Sequence, residues 1–297
     1  MILVAGGTGR LGTLLVNRLT ERGLEVRVLT RDPLRAAHLG DGVSVVTGDV
    51  RDVQSLAPAF EGIDVVVSAV HGFVGPRDIS PATVDRDGNA NLIGSAKAAG
   101  AALVLMSVVG ATPDSPMELF RMKYAAEKHA IASGVPTTIV RATAFLELWI
   151  ELLRQTASRS GRPLVFGRGN NPINFVSAVD VAALVERAIT DPSTRGSTLE
   201  IGGPDNRTFN QLAQAVQLAD GRTGQPRHIP RPMLRMMAST IGRLKPQLGR
   251  QARSALAMDS TDLTFDTEAL HRSYPGLPCT SIAELLATGS RSALHDS

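Results

Sequence analysis

The apolar run Met1-Ile2-Leu3-Val4-Ala5 passes directly into Gly6-Gly7-Thr8-Gly9-Arg10-Leu11-Gly12. Leu11, Leu14, Leu15 and Leu19 then recur at the spacing of one helix face. Strand, glycine turn and helix in immediate succession form the opening of a β-α-β unit. Gly6 permits the tight turn, Gly9 leaves the backbone open to a pyrophosphate, and Gly12 lets the helix pack closely on the strand. The helix N-terminus adds free N–H groups and a partial positive charge. These features predict a dinucleotide site built from Gly6, Thr8, Gly9, Arg10, Leu11 and Gly12.

The second strand bears on which dinucleotide. Glu25-Val26-Arg27-Val28-Leu29-Thr30 ends in Arg31. An acidic residue at this end holds the ribose 2′-hydroxyl of NAD, whereas a cation suits the 2′-phosphate of NADP. With Arg10 nearby in the glycine turn, two guanidiniums favour NADP over NAD. The alternative is a solvated arginine at a strand end.

The first half continues as alternating strands and helices. Strands are expected over 1–5, 25–30, 43–47, 63–69, 102–106 and 136–141, and helices over 10–22, 33–39, 52–60, 80–99 and 116–133. The strand runs are apolar throughout, as in Val65-Val66-Val67, which fits strands covered on both faces. The chain is therefore read as α/β, with a Rossmann-like, doubly wound parallel sheet over 1–144 and parts of 173–202 packing back on it. Ligands of such sheets bind outside the carboxyl ends of the strands. There lie Gly6, Arg31, Asp49, Ala69-Val70-His71, Ser107 and Arg141-Ala142-Thr143. Beyond 145 the pattern loosens into a helix over 145–158, short extended pieces, a helix over 179–190, a strand over 198–201, and a helix from a Thr208 cap to Asp220. Residues 145–297 are expected to form a smaller C-terminal substrate-binding lobe ending in a basic helical segment.

That segment is unusual in charge. Between Asp220 and Asp259 there is no acid, yet Arg222, Arg227, Arg231, Arg235, Arg243, Lys245, Arg250 and Arg253 fall there. Met233, Leu234, Met237, Ile241, Leu244 and Leu248 follow helical spacing, interrupted at Pro246. A docked helix with a solvated outer face is the plain reading. A lid over an anion, a partner surface and a membrane surface stay open. The whole chain carries only +3, which does not argue for nucleic acid. The single Cys279 excludes an intrachain disulfide, and the six histidines show no ligand spacing, so no metal is expected. No stretch of apolar residues suits a membrane span and strand one starts at Met1, so a cytoplasmic location is expected. The absence of a Gly-x-Ser-x-Gly elbow argues against a hydrolase.

The layout resembles the extended and atypical short-chain dehydrogenase/reductase superfamily, and more closely its NmrA-like, NAD(P)-binding branch. The matching stretches are the glycine turn, Gly48-Asp49-Val50, Ser107-Val108-Val109-Gly110, Lys123-Tyr124-Ala125-Ala126-Glu127, Ser133-Gly134-Val135-Pro136, Asn174-Phe175-Val176-Ser177-Ala178-Val179-Asp180-Val181-Ala182 and Ile201-Gly202-Gly203-Pro204. The resemblance implies that Asp49, with Val50 beside it, meets the adenine. It implies that Ala69, Val70 and His71 line the cofactor, and that Thr143 and Phe145 sit by the nicotinamide.

Such reductases commonly use a Ser, a Tyr and a Lys, the Tyr four residues before the Lys on one helix face. Tyr124 and Lys128 have that spacing. The family pattern Lys-x-Ala-Ala-Glu, however, fits Lys123-Tyr124-Ala125-Ala126-Glu127 directly. Lys123 is then the family lysine, and the tyrosine position falls at Leu119, which cannot donate a proton. The Lys123 register is preferred, with Ser107 polarising the substrate oxygen, and the Tyr124/Lys128 register stays open. His71 is read as a cofactor wall or, less readily, a proton donor. The resemblance implies an NADP-dependent reductase passing hydride to a small, largely apolar carbonyl, enone or quinone-like molecule. The alternative is a dinucleotide-sensing regulator that binds NAD(P) and a protein partner without turnover. Besides a small-molecule substrate, a protein partner or a homodimer stays open. Nucleic acid is not expected, since no helix-turn-helix appears.

Overall fold

The computed structural model describes residues 1–40, 42–75, 78–158 and 161–292. They form two compact units, one within residues 1–142 and 181–200, the other within residues 143–180 and 201–292.

The first unit is built on β1 (Ile2–Ala5), β2 (Val26–Thr30), β3 (Val43–Thr47), β4 (Val65–Ser68), β5 (Ala102–Val108) and β6 (Thr137–Ala142). Their order in the sheet is β3-β2-β1-β4-β5-β6, with the strand Thr198–Ile201 beyond β6. Each neighbouring pair from β3 to β6 is parallel. The order reverses between β1 and β4, which makes that crevice the ligand-binding position of a doubly wound sheet. The wholly apolar β1 and the Val65-Val66-Val67 run are buried along their lengths, as central strands are. Leu3, Leu29, Leu56, Phe60, Val66, Leu92, Ile93 and Leu103 close the core.

Helix α1 (Arg10–Glu21) buries Leu11, Gly12, Leu15, Val16 and Leu19, the stripe its spacing predicts. The buried Glu186 receives Arg18 at 2.7 Å and Arg22 at 2.6 Å, which ties α1 to the 181–200 segment. The expected helices over 33–39 and 52–60 are instead 3₁₀ turns, Pro33–Ala36 and Val53–Phe60. Asp32 and Asp52 accept from Leu34 N and Gln54 N, local caps that fit the tighter winding of a 3₁₀ turn. The expected helix over 80–99 begins as a π-helix, Pro81–Gly88, and continues as α2 (Asn89–Ala99). Here Asp85 turns inward, and Asn89 donates to its carbonyl at 2.7 Å. Helix α3 (Glu118–Ser133) turns Lys123, Ala126, Glu127 and Ala130 inward.

In the second unit, Pro172–Val176 pairs with Ala144–Phe145 and with Asn206–Thr208. Leu164–Phe166 pairs with Arg227–Ile229. Its core centres on Phe175 and Phe209, with Trp149 edge-on to Phe209 at 4.6 Å. Thr208 caps the helix Phe209–Ala219 through a capping box with Gln211. Among the described residues no helix is long and apolar enough to cross a membrane.

Candidate cofactor and active site

A cavity of about 470 Å³ opens in the first unit at the carboxyl ends of β1, β2, β3 and β4. Thr8 and Gly9 form part of its wall, as do residues 69–71. The three glycines of the turn act differently. Gly6 has φ +89°, and a Cβ there would stand 2.7 Å from the Ala69 carbonyl oxygen. A Cβ on Gly12 would stand 2.1 Å from Gly6 O, so both positions must lack a side chain for the fold itself. At Gly9 a Cβ would meet only Gly6 O, at 3.3 Å. The space beside Gly9 is thus kept open for something other than protein. Gly9 is also the N-cap of α1 and offers no side-chain acceptor to the helix's first-turn N–H groups. Leu11 is buried and can contribute only its backbone, while Arg10 is exposed.

At the β2 end, Arg31 and Arg35 both line the cavity. Arg35 was not among the expected residues; the 3₁₀ turn after Pro33 brings it back beside Arg31. Asp32 also lines the cavity, and its carboxylate accepts from Leu34 N at 3.1 Å. Val50 lines the wall beside Asp49. Asp49 is held by Arg51, whose Nη2 lies 2.6 Å from Oδ2, and Arg51 reaches on to Asp78 at 2.8 Å. The hydrogen bonds from Arg51 hold the Asp49 carboxyl below the usual carboxylate range, against the opposing effect of burial. Asp49 can therefore act only as an ionised acceptor.

At the β4 end, Ala69, Val70 and His71 line the cavity. Lys123 is 5% exposed and donates from Nζ to the Val70 carbonyl at 2.9 Å. Its ammonium also lies 3.0 Å from Asp85 Oδ1. Asp85 is 0% exposed, and its other oxygen accepts from Gly72 N at 2.8 Å. A buried ion pair thus fixes the lysine against the wall of the cavity. Tyr124 is half-buried and Lys128 exposed, so the structure turns Lys123, not Lys128, inward.

Ser107 is buried and donates its hydroxyl to Glu127 Oε1. Glu127 in turn holds Arg141 through both oxygens, at 2.9 and 2.7 Å, and Arg141 reaches Glu200 at 3.0 Å. The hydroxyl proton of Ser107 is thus engaged by a carboxylate in this structure. Just beyond His71 the chain is anchored at Gly72, whose N–H donates to Asp85 Oδ2. Thr143 and Phe145 belong to the second unit. Thr143 donates to Asn174 Oδ1 at 3.0 Å, and Phe145 is the N-cap of the helix Leu146–Ala157.

His71 lines the cavity and is exposed. Partial desolvation of the ring by the protein around it lowers its pKa below 6.5, the Asp85 carboxylate opposing and the Lys123 ammonium reinforcing the shift. The neutral imidazole is accordingly the form expected at pH 7. An NMR titration of the ring should give a midpoint below that of a free histidine; one at or above it would contradict this placement.

Among the described residues no group of three or more His, Cys, Asp or Glu side chains could hold a metal ion. Residues 6–192 match the NAD(P)H-binding family. An NAD(P)H azoreductase of Xenophilus azovorans is 32% identical over 225 residues, 75% of this chain and 74% of that one. A probable pinoresinol-lariciresinol reductase of Arabidopsis thaliana is 32% identical over 235 residues, 74% and 72% of the two chains. The NADPH-dependent quinone oxidoreductase of Escherichia coli, solved with NADPH, shares the fold with a TM-score of 0.78 at 22% identity, over 97% of this chain and 99% of that one.

Proposed function

This chain belongs to the NAD(P)H-binding family, within its atypical short-chain reductase branch, and from that premise we propose that it is an NADP(H)-dependent reductase of small, largely apolar carbonyl, enone or quinone-like molecules. The observation that carries the reading is one cavity lined by two guanidiniums and by Val70, whose carbonyl holds a buried, fixed ammonium behind the wall. Arg31 and Arg35 suit a 2′-phosphate. The open space at Gly9 and the first-turn N–H groups of α1 suit the pyrophosphate. Asp49 and Val50 would hold the adenine, and Lys123 the nicotinamide ribose. The bound nicotinamide supplies a hydride.

Lys123 is a binding group in this scheme. Its contacts to Val70 O and Asp85 keep the ammonium in place while the ribose docks. Ser107 is a positioning residue that acts through Glu127 and Arg141, not through substrate. With leucine at position 119 and Ser107 engaged by Glu127, the proton that completes reduction is assigned to water or to the substrate itself. The regulator reading rests on the same missing donor, and one assay separates the two. NADPH oxidation is followed over a panel of quinones, enones, aldehydes and azo compounds, with cofactor affinity measured alongside. Turnover on at least one class is expected; tight cofactor binding with no oxidation across the panel would favour the regulator.

Cofactor preference has its own test. Arg31→Ala is expected to weaken NADPH by about 1.5–3 kcal/mol, the range of a hydrogen bond to a charged group, and to leave NADH nearly unchanged. Calorimetric titration with both cofactors checks it. An equal loss for the two would mean that Arg31 does not read the 2′-phosphate.

A further inference from the structure

The acid-free segment between Asp220 and Asp259 folds as a helical hairpin. Arg231–Met236, Met237–Ile241 and Gly242–Leu244 make one arm, and Pro246–Met258 the other. The arms touch backbone to backbone: a Cβ on Gly249 would stand 2.6 Å from Gly242 Cα. Arg253 donates across to the Ala238 carbonyl at 3.2 Å.

The flanking acids are already paired. Asp220 holds Arg154 at 2.7 Å, and the buried Asp259 lies between Arg168 at 3.3 Å and Arg231 at 3.5 Å. Arg222, Arg227, Arg235, Lys245 and Arg253 make no ion pair among the described residues. Large apolar side chains stand exposed on the first arm. Met233 is 47%, Met236 54% and Leu244, at the bend, 78% exposed. Arg235 and Lys245 are exposed among them.

This combination has a physical consequence. Uncompensated cations attract an anionic surface, and apolar side chains interleaved with them gain only where they leave water. A protein partner must bury a contiguous, shape-matched patch with an apolar centre. Three apolar side chains spread along an arm, among long flexible cations, suit a fluid surface that needs no matching shape. We propose that the hairpin docks the protein peripherally on anionic lipid headgroups. Leu244, Met236 and Met233 enter the acyl boundary, and Arg235, Lys245 and Arg253 meet the phosphates. The proposal does not depend on the reaction assigned above.

The test is sedimentation of the full-length protein with phosphatidylcholine vesicles, with and without phosphatidylglycerol, at low and high salt. Binding to the anionic vesicles alone, weakened by salt, is expected. R235E/K245E should reduce it by about tenfold or more, and L244S severalfold at constant salt. Neither change should alter the far-UV spectrum or NADPH affinity, which separates lost docking from lost folding. No sedimentation with anionic vesicles, or sedimentation undiminished in R235E/K245E, would overturn the proposal. So would binding to polyglutamate as tight as to vesicles with L244S silent, since the hairpin would then be a general polyanion surface.

Discussion

Lys123→Met is expected to abolish reductase turnover and to lower the stability of the fold by about 3–5 kcal/mol, the usual consequence of stranding one member of a buried ion pair. Asp85 would remain as a charge with no solvent access and only the Gly72 N–H for company. The two effects are separable. In Lys123→Met/Asp85→Asn the stranded charge is gone, so much of the stability should return in urea denaturation. Turnover and cofactor affinity should not, because the ammonium at Val70 O is still missing. Tyr124→Phe is the control. Its hydroxyl makes no hydrogen bond among the described residues, and its loss should leave activity within a few-fold. A thousandfold loss in Tyr124→Phe, with Lys123→Met active, would mean that Tyr124 and Lys128 carry the chemistry.

The parts of this site that were legible in the sequence are those whose physics is local. Gly6, Gly9 and Gly12 fall within one turn; Gly9 and Gly12 are set by Gly6 O close by in the sequence, and only Gly6 also meets a distant neighbour, Ala69. The central strands β1, β4 and β5 announce themselves as apolar runs because both their faces are covered, while the edge strand β3 stands partly exposed. Lys123 is legible through Lys-x-Ala-Ala-Glu, since Ala126, Glu127 and Ala130 share its buried face. What escaped depends on long-range partners or on turn chemistry. Nothing near Asp85 in the sequence marks it as the counter-charge of a lysine on another helix. Glu127 was visible as a letter of a motif, but its acceptance of the Ser107 proton and its hold on Arg141 appear only once α3 lies beside β5 and β6. Arg35 was hidden by reading 33–39 as an α-helix, when Asp32 and Pro33 set a 3₁₀ turn. Asp49 was expected from resemblance, but Arg51, two residues on, was not seen as its partner. In the second unit the strands Ala144–Phe145, Asn206–Thr208 and Arg227–Ile229 are at most three residues long, too short to show a period.

Gly9→Val and Gly12→Val should fail in different ways, and the contrast tests the cavity more sharply than either alone. At Gly12 the first added carbon would stand 2.1 Å from Gly6 O and 2.6 Å from Gly7 Cα, both backbone atoms of a turn that cannot retreat without moving β1. Gly12→Val is therefore expected to destabilise the fold by several kcal/mol, on the order of the larger overpacking penalties, with cofactor binding lost as a consequence. At Gly9 the only protein atom near a Cβ is Gly6 O at 3.3 Å, a contact relieved by a shift of a few tenths of an ångström. Gly9→Val should keep its far-UV spectrum and most of its thermal stability. Its branches would instead fill the space beside Thr8 and the first-turn N–H groups, where a pyrophosphate must come within hydrogen-bond distance. Affinity for NADPH should fall by at least a hundredfold, since the ligand loses those N–H groups and meets a side chain in their place. The loss should be as large for NADH, because the pyrophosphate is common to both cofactors; this distinguishes it from Arg31→Ala. Calorimetric titration beside thermal denaturation reads both quantities. If Gly9→Val folds and still binds NADPH as the parent does, the pyrophosphate does not lie on this turn.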